Sequence, residues 1–182
     1  MDMRTHRFTL LVSIALIALA FVPAGRARAQ QPIVPGDFQA QITNPLFPIS
    51  VTGPKLFEGT DTYAETGDVV KTRLESKILP ETRTIMGVTV TVLEERAYDD
   101  GQLVELALDF FAQHTDGSVY YFGEEVDNYE DGKLKDHKGA WIAGEGETLP
   151  GIIMPAKPVV GETIVNEHAP GIAEDAAEVL AV

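Results

Sequence analysis

Val88-Thr89-Val90-Thr91-Val92-Leu93-Glu94-Glu95-Arg96-Ala97-Tyr98-Asp99-Asp100-Gly101-Gln102-Leu103-Val104-Glu105-Leu106-Ala107-Leu108-Asp109-Phe110-Phe111 is the stretch that decides the fold. Its first part is rich in β-branched residues, which suit a pleated surface. Asp100-Gly101 in its middle is a type I′ hairpin signature, because both central positions of that turn need positive φ. A two-residue loop there pairs Arg96 with Glu105, Leu93 with Leu108 and Thr91 with Phe110. The opposite charges of the first pair support that register.

Outward from this hairpin, strand-length runs alternate with turn signals. Upstream, Val70, Thr72, Leu74, Ser76 and Ile78 form one face of a strand, with Lys71, Arg73, Glu75 and Lys77 on the other; that is the period of a half-buried strand. Before it, the run from Lys55 to Ala64 leads into a turn at residues 65–68. Downstream, the strand from Leu103 to His114 turns at Asp116-Gly117, Val119 to Gly123 reads as another strand, and Asp131-Gly132 marks a further turn. The expected fold is mainly β, an antiparallel meander able to curve into a partial barrel or half-pipe. Residues 139–171, rich in Gly and Pro, are looser, with Ile152-Ile153-Met154 as a buried plug. The final run, Ile172 to Val182, suits a helix by composition but is too short to show a period.

The first 29 residues read as a secretory signal peptide. Arg4, His6 and Arg7 form a basic start, Phe8 to Val22 an apolar run, and Ala27-Arg28-Ala29 a cleavage site before Gln30. The run is short for a bilayer crossing. No cysteine follows it for lipid attachment, and Arg4 and Arg7 are not adjacent as in a twin-arginine signal. The expectation is export to the periplasm or beyond by the general route, with no stable membrane span after cleavage. Residues 30–54 then read as a proline-rich lead-in (Pro32, Pro35, Pro45, Pro48, Pro54) pinned to the domain by Phe38, Ile42, Leu46, Phe47 and Ile49, and residues 55–182 as one domain.

After residue 29 the chain carries ten basic and 27 acidic residues, a net charge of −17. Such a charge repels nucleic acid and anionic membranes and favours cations. There is no cysteine, so disulfides, thiolate metal sites and thiol catalysis are absent.

The motifs Asp109-Phe110-Phe111-Ala112-Gln113, Asp116-Gly117-x-Val119-Tyr120-Tyr121-Phe122-Gly123-Glu124, Gly139-x-Trp141-x-Ala143-Gly144, Pro150-Gly151-Ile152-Ile153-Met154-Pro155 and Gly171-x-Ala173-Glu174-Asp175-x-Ala177-Glu178-Val179 resemble those of a family of secreted bacterial proteins of unknown function. The lead-in Pro35-Gly36-Asp37-Phe38 and Ile42-Thr43-Asn44-Pro45-x-Phe47-Pro48 is similar to that family's start. The resemblance brings no activity or catalytic residues. It implies further strands after the region matching Glu178, and so an unfinished sheet edge here.

Candidate chemistry falls into three classes. Adjacent aromatics on a strand point to opposite faces, so Phe110 and Phe111, like Tyr120 and Tyr121, cannot fill one core together. Either both faces are covered, or Phe111, Tyr121 and Trp141 line a ligand groove with Ile152 and Met154 as part of its lid. That favours a non-enzymatic binding module holding an apolar or amphipathic ligand.

The acid run Glu124, Glu125, Asp127, Glu130 and Asp131 suggests instead a calcium-stabilised structural or interaction protein. It does not match the helix-loop-helix calcium motif, since Lys138 stands where the bidentate Glu belongs. A carboxylate-dependent hydrolase is the third class; Glu105 and Asp109, four residues apart on a strand or roughly 13 Å, are too distant to be its pair. His114, His137 and His168 lack metal-ligand spacing, and Ser50, Ser76 and Ser118 lie in no nucleophile elbow. The basic stripe Lys71, Arg73 and Lys77 pairs across strands with acids such as Glu58, or meets an anionic headgroup. N-terminal sequencing of the exported protein is expected to read from Gln30; a start at Met1 overturns the cleavage reading.

Overall fold

The computed structural model describes residues 32–64 and 66–182. The segment expected to be a signal peptide and the first two residues of the lead-in lie outside them. A single 3-10 turn (Pro35–Asp37) leads into β1 (Phe38–Gln39). Five long strands follow: β2 (Lys55–Thr62), β3 (Val69–Ile85), β4 (Val88–Asp99), β5 (Gln102–His114) and β6 (Val119–Glu130). They form an antiparallel meander that continues into β7 (Lys133–Asp136) and ends there, so the sheet is open rather than closed into a barrel. Two short strands, β8 (Trp141–Ile142) and β9 (Gly151–Met154), take successive places along β6. β10 (Thr163–Val165) and β11 (Ala176–Glu178) make a separate two-stranded hairpin, so the final run contains a short strand and no helix. Among the described residues no helix is long and apolar enough to cross a membrane.

The turns follow their chemistry. Asp100 and Gly101 have φ of 46° and 82°, as a type I′ turn requires. Met86-Gly87 makes a similar tight turn, φ 50° and 79°, which no Asn or Asp announces. β3 therefore runs on past Pro80 to reach it. The ladder accommodates that proline, which has no N–H to give, with an irregularity between Ile78 and Thr82.

The expected register of the central hairpin needs correction. Tyr98 pairs with Leu103, but the next pair is Ala97 with Glu105, which leaves Val104 as a bulge. Beyond it Leu93 meets Asp109 and Thr91 meets Phe111. Arg96 lies opposite Leu106, and its charge is satisfied along its own strand by Glu94, 2.9 Å away. A second bulge interrupts β5 and β6: Asp109 pairs with Glu124 and Phe111 with Tyr121, so Phe110 opposes both Phe122 and Gly123.

Both sheet faces are covered. On one, Val88, Val90, Val92, Phe110, Ala112 and Phe122 are sealed, and Phe38 packs edge-on against Tyr120 and Phe122. On the other, the lead-in folds over Phe111 through Phe47. The Gln113 side-chain oxygen fastens it by accepting the Thr43 and Asn44 backbone N–H groups at 2.6 and 2.9 Å. Ile42 and Ile49 are buried there while Leu46 is exposed, so four of the five expected lead-in anchors pack.

Gly123 makes the second bulge possible. It sits at φ 117°, and a Cβ there would lie 2.2 Å from the Trp141 carbonyl oxygen. Gly123→Ala is expected to destabilise the protein by about 2 kcal/mol or more, read as a lower urea midpoint. An unchanged midpoint contradicts this account of the bulge.

Candidate functional site

Strand alternation sorts the charged residues by face. On the face that carries Tyr98, Arg96 and Glu94, acids and bases are interleaved. Lys77 and Arg96 share Glu94, Arg73 pairs with Glu75, and Arg83 forks onto Glu125 with one of its two contacts at 2.8 Å. Arg73 and Arg83 also stack over Tyr98 and Phe110. Of the basic stripe expected on β3, Arg73 and Lys77 are thus paired, with Glu75 and Glu94, while Glu58 stands across from Arg73 in register.

The opposite face carries Glu95 on β4, Glu105 and Asp109 on β5, and Glu124 on β6. The two bulges put them together. Val104 moves Glu105 off the face of Arg96, and Gly123 turns Glu124 onto the face of Tyr121, where simple alternation would separate them. Asp109 and Glu124 stand directly opposite, with Cβ atoms of such a pair about 5 Å apart. Glu167, from the tip between β10 and β11, joins from above. Its approach depends on Gly151 in β9, where a Cβ would lie 1.9 Å from the Asn166 carbonyl oxygen.

Beneath and beside these carboxyls is an aromatic floor. Phe111 and Tyr121 are stacked at 4.8 Å, and Trp141 meets Tyr121 edge-on at 5.4 Å. All three are at most 6 % exposed. The Tyr121 hydroxyl donates to Asp109 Oδ1 at 2.7 Å. Asp109 Oδ2 is buried and has no hydrogen-bond partner. The Trp141 indole N–H faces Glu167 and favours its charged form, without a hydrogen bond of normal geometry.

Burial dominates the electrostatics of this group. It raises Asp109 to about 8, Glu124 to about 9 and Glu105 to about 7, with the neighbouring carboxylates adding to each shift. Glu95 is raised too by burial, though the Ser76 hydroxyl and the Lys55 charge oppose the rise. Glu167 rises to about 7 through burial and its contact with Asp175. For Asp109 burial, with the neighbouring carboxylates, outweighs the single Tyr121 hydrogen bond that pulls the other way. Desolvation wins, and Asp109 and Glu124 are mainly neutral at pH 7.

The structure thus brings together three of the aromatic residues that the sequence singles out, Phe111, Tyr121 and Trp141, but as a covered layer, the first of the two alternatives, and not as an open groove. Met154 lies opposite Val119 on the same face, while Ile152 lies opposite Tyr120 on the other, so the expected lid is split. The acid run is also divided. Glu124 faces the cluster, Glu125 holds Arg83, Asp127 lies 2.8 Å from His137, Glu130 pairs with Lys135, and Asp131 forms a turn at φ 52°. Consecutive strand residues point to opposite faces, so these five do not converge. No group of three or more Asp, Glu or His among the described residues is arranged to hold a metal ion. Glu105 and Asp109 share a strand face by alternation alone, but Glu95, Glu124 and Glu167 join them only through bulge positions and tertiary contact.

These raised values have a signed consequence. A carboxyl with a higher pKa in the folded state holds its proton longer than in the unfolded chain, so stability falls as pH rises from about 4 through about 9. Glu94, Asp116 and Asp136 are held low by hydrogen bonds and charge, after opposition from burial, and their contribution fades only below about pH 4. The melting temperature is therefore expected to peak in mild acid and to decline toward pH 9. Combining Asp109→Asn with Glu124→Gln should flatten the alkaline decline by several degrees, at about 2–4 °C per kcal/mol. An unaltered pH profile in that variant contradicts the assignment. No protein-family model matches this chain, and no curated protein or solved structure matches it, so the site is read from its own chemistry.

Proposed function

We propose that the protein is an exported, non-enzymatic binding module of the bacterial cell envelope whose ligand is an amphipathic cation. The ligand's apolar part lies against Phe111, Tyr121 and Trp141, and its ammonium or similar head among Asp109, Glu124 and Glu167. One observation carries this reading: the aromatic stack runs directly into a buried carboxyl whose second oxygen lacks a partner. A cation supplies the missing partner, lowers the raised pKa values by its charge and gains from the ring faces beside it. Among the described residues the base acting on this group is Lys55, at Glu95, too little to neutralise it.

Hydrolysis by paired carboxyls fits less well. Acid and base roles need the two pKa values pushed apart, and here Asp109 and Glu124 move in the same direction for the same reason.

Trp141 is the only tryptophan in the chain, so its fluorescence reports on the floor of the site. An alkyltrimethylammonium below its micelle concentration is expected to change that emission saturably at pH 8. The alkyl sulfate of equal chain length should not, and Asp109→Asn should weaken the response at least about tenfold, the loss of one charge-assisted contact. Equal responses to both amphiphiles, or none to either, count against the reading.

A further inference from the structure

The meander has two edges, and they are not alike. β7 is four residues long, carries Lys133 and Lys135 with Lys138 just after it, and has a register shift in its ladder with β6. Shortness, lysines and bulges are what keep an edge from pairing with another chain. β2 has eight residues, no proline, one lysine at its start and an unbroken ladder of eight pairs to β3. Among the described residues no strand pairs with its outer side.

β2 is also without a cover. Leu56 and Phe57 are 58 % and 53 % exposed, and as neighbours on a strand they lie on opposite faces. The edge is thus apolar on both faces at one point. Charge singles out the same place. Residues 55–78, which are β2 and the part of β3 beside it, hold four of the ten bases and five of the 27 acids that follow residue 29. That is a net charge of −1 in a chain of −17, so two copies meet here with the least repulsion. A cationic partner is drawn instead to the acids elsewhere.

We propose that β2 is a dimer interface, which joins a second copy edge to edge and antiparallel about a two-fold axis at Phe57. Directly opposite residues of an antiparallel pair share a face, so the axis passes a residue that faces its own mate. At Glu58 it would set like charges together, and at Gly59 it would set Phe57 against Asp61. At Leu56 it would set Phe57 against Lys55. At Phe57 the two rings meet directly, the two Leu56 side chains lie diagonally on the other face, and Lys55 lies diagonal to Asp61 of the other copy. Each Glu58 stands across from Arg73 of its own sheet, which offsets the approach of the two carboxylates. The two meanders become one sheet, and the guarded β7 edges end it on both sides.

The contact is smaller than a standard interface of about 1,600 Å², so the dimer forms only at high protein concentration. Sedimentation of the protein from low micromolar to millimolar concentration is expected to show monomer passing to dimer and no further. Because the copies repel at long range, added salt should favour the dimer. Phe57→Lys sets like charges opposite one another and should keep the protein monomeric throughout, with its melting temperature unchanged because the side chain is exposed. The chain has no cysteine, so oxidation of a Phe57→Cys variant reads the register whether or not the lysine variant folds. Phe57→Cys should link to its own mate, whereas Thr62→Cys, further along the same edge, should not. A single mass at every concentration, growth beyond a dimer, a dimer that Phe57→Lys leaves intact, or linking at Thr62→Cys in place of Phe57→Cys each overturns the proposal.

Discussion

Two extra residues in otherwise regular ladders, Val104 in β5 and the bulge at Phe122-Gly123 in β6, determine which side chains share a face. A strand has period two, so one inserted residue exchanges the faces of everything beyond it. Without the first bulge Glu105 would lie against Arg96 and be neutralised. Without the second, Glu124 would stand on the ion-pair face and Asp109 would have no carboxyl opposite it. The backbone of Trp141 fills the space that the missing Gly123 side chain leaves, so the bulge also seats β8 and closes the aromatic floor.

The consequence is an unusual separation of charge within one sheet. One face satisfies its acids with arginines and lysines at 2.8–3.1 Å, partly exposed, where such pairs contribute little to stability. On the other face Asp109 is buried and the remaining acids are partly buried, with Lys55 acting on Glu95. Their low cost in the folded state is achieved by protonation instead of pairing, which ties the protein's stability to pH. A buried carboxyl kept neutral is also a donor, so Asp109 can accept from Tyr121 on one oxygen and offer a proton on the other.

Coverage explains why the doubled aromatics coexist. Phe110 and Tyr120 go to one layer, with Phe38 as their lid, and Phe111 and Tyr121 to the other, under Phe47 and the hairpin tip. Neither layer alone is thick; each depends on a segment from the end of the chain. The lead-in anchors the first end through Gln113, and Gly151 admits the second by leaving room for the Asn166 carbonyl.

The sequence by itself determined the long strands of the meander, the Asp100-Gly101 turn and the alternation of Phe110 with Phe111, because these follow from local φ preference and period two, but not the short strands β8 to β11. It also marked Phe111, Tyr121 and Trp141, whose types and positions are visible without coordinates. Tertiary structure alone decided the register, since a bulge at Val104 has no local signature and the attractive Arg96–Glu105 pairing was available to mislead. It alone decided the site as well. Glu95, Glu105, Asp109, Glu124 and Glu167 come from four separate elements, and their proton affinities are set by shared burial, a property that no residue possesses until the chain has folded around it.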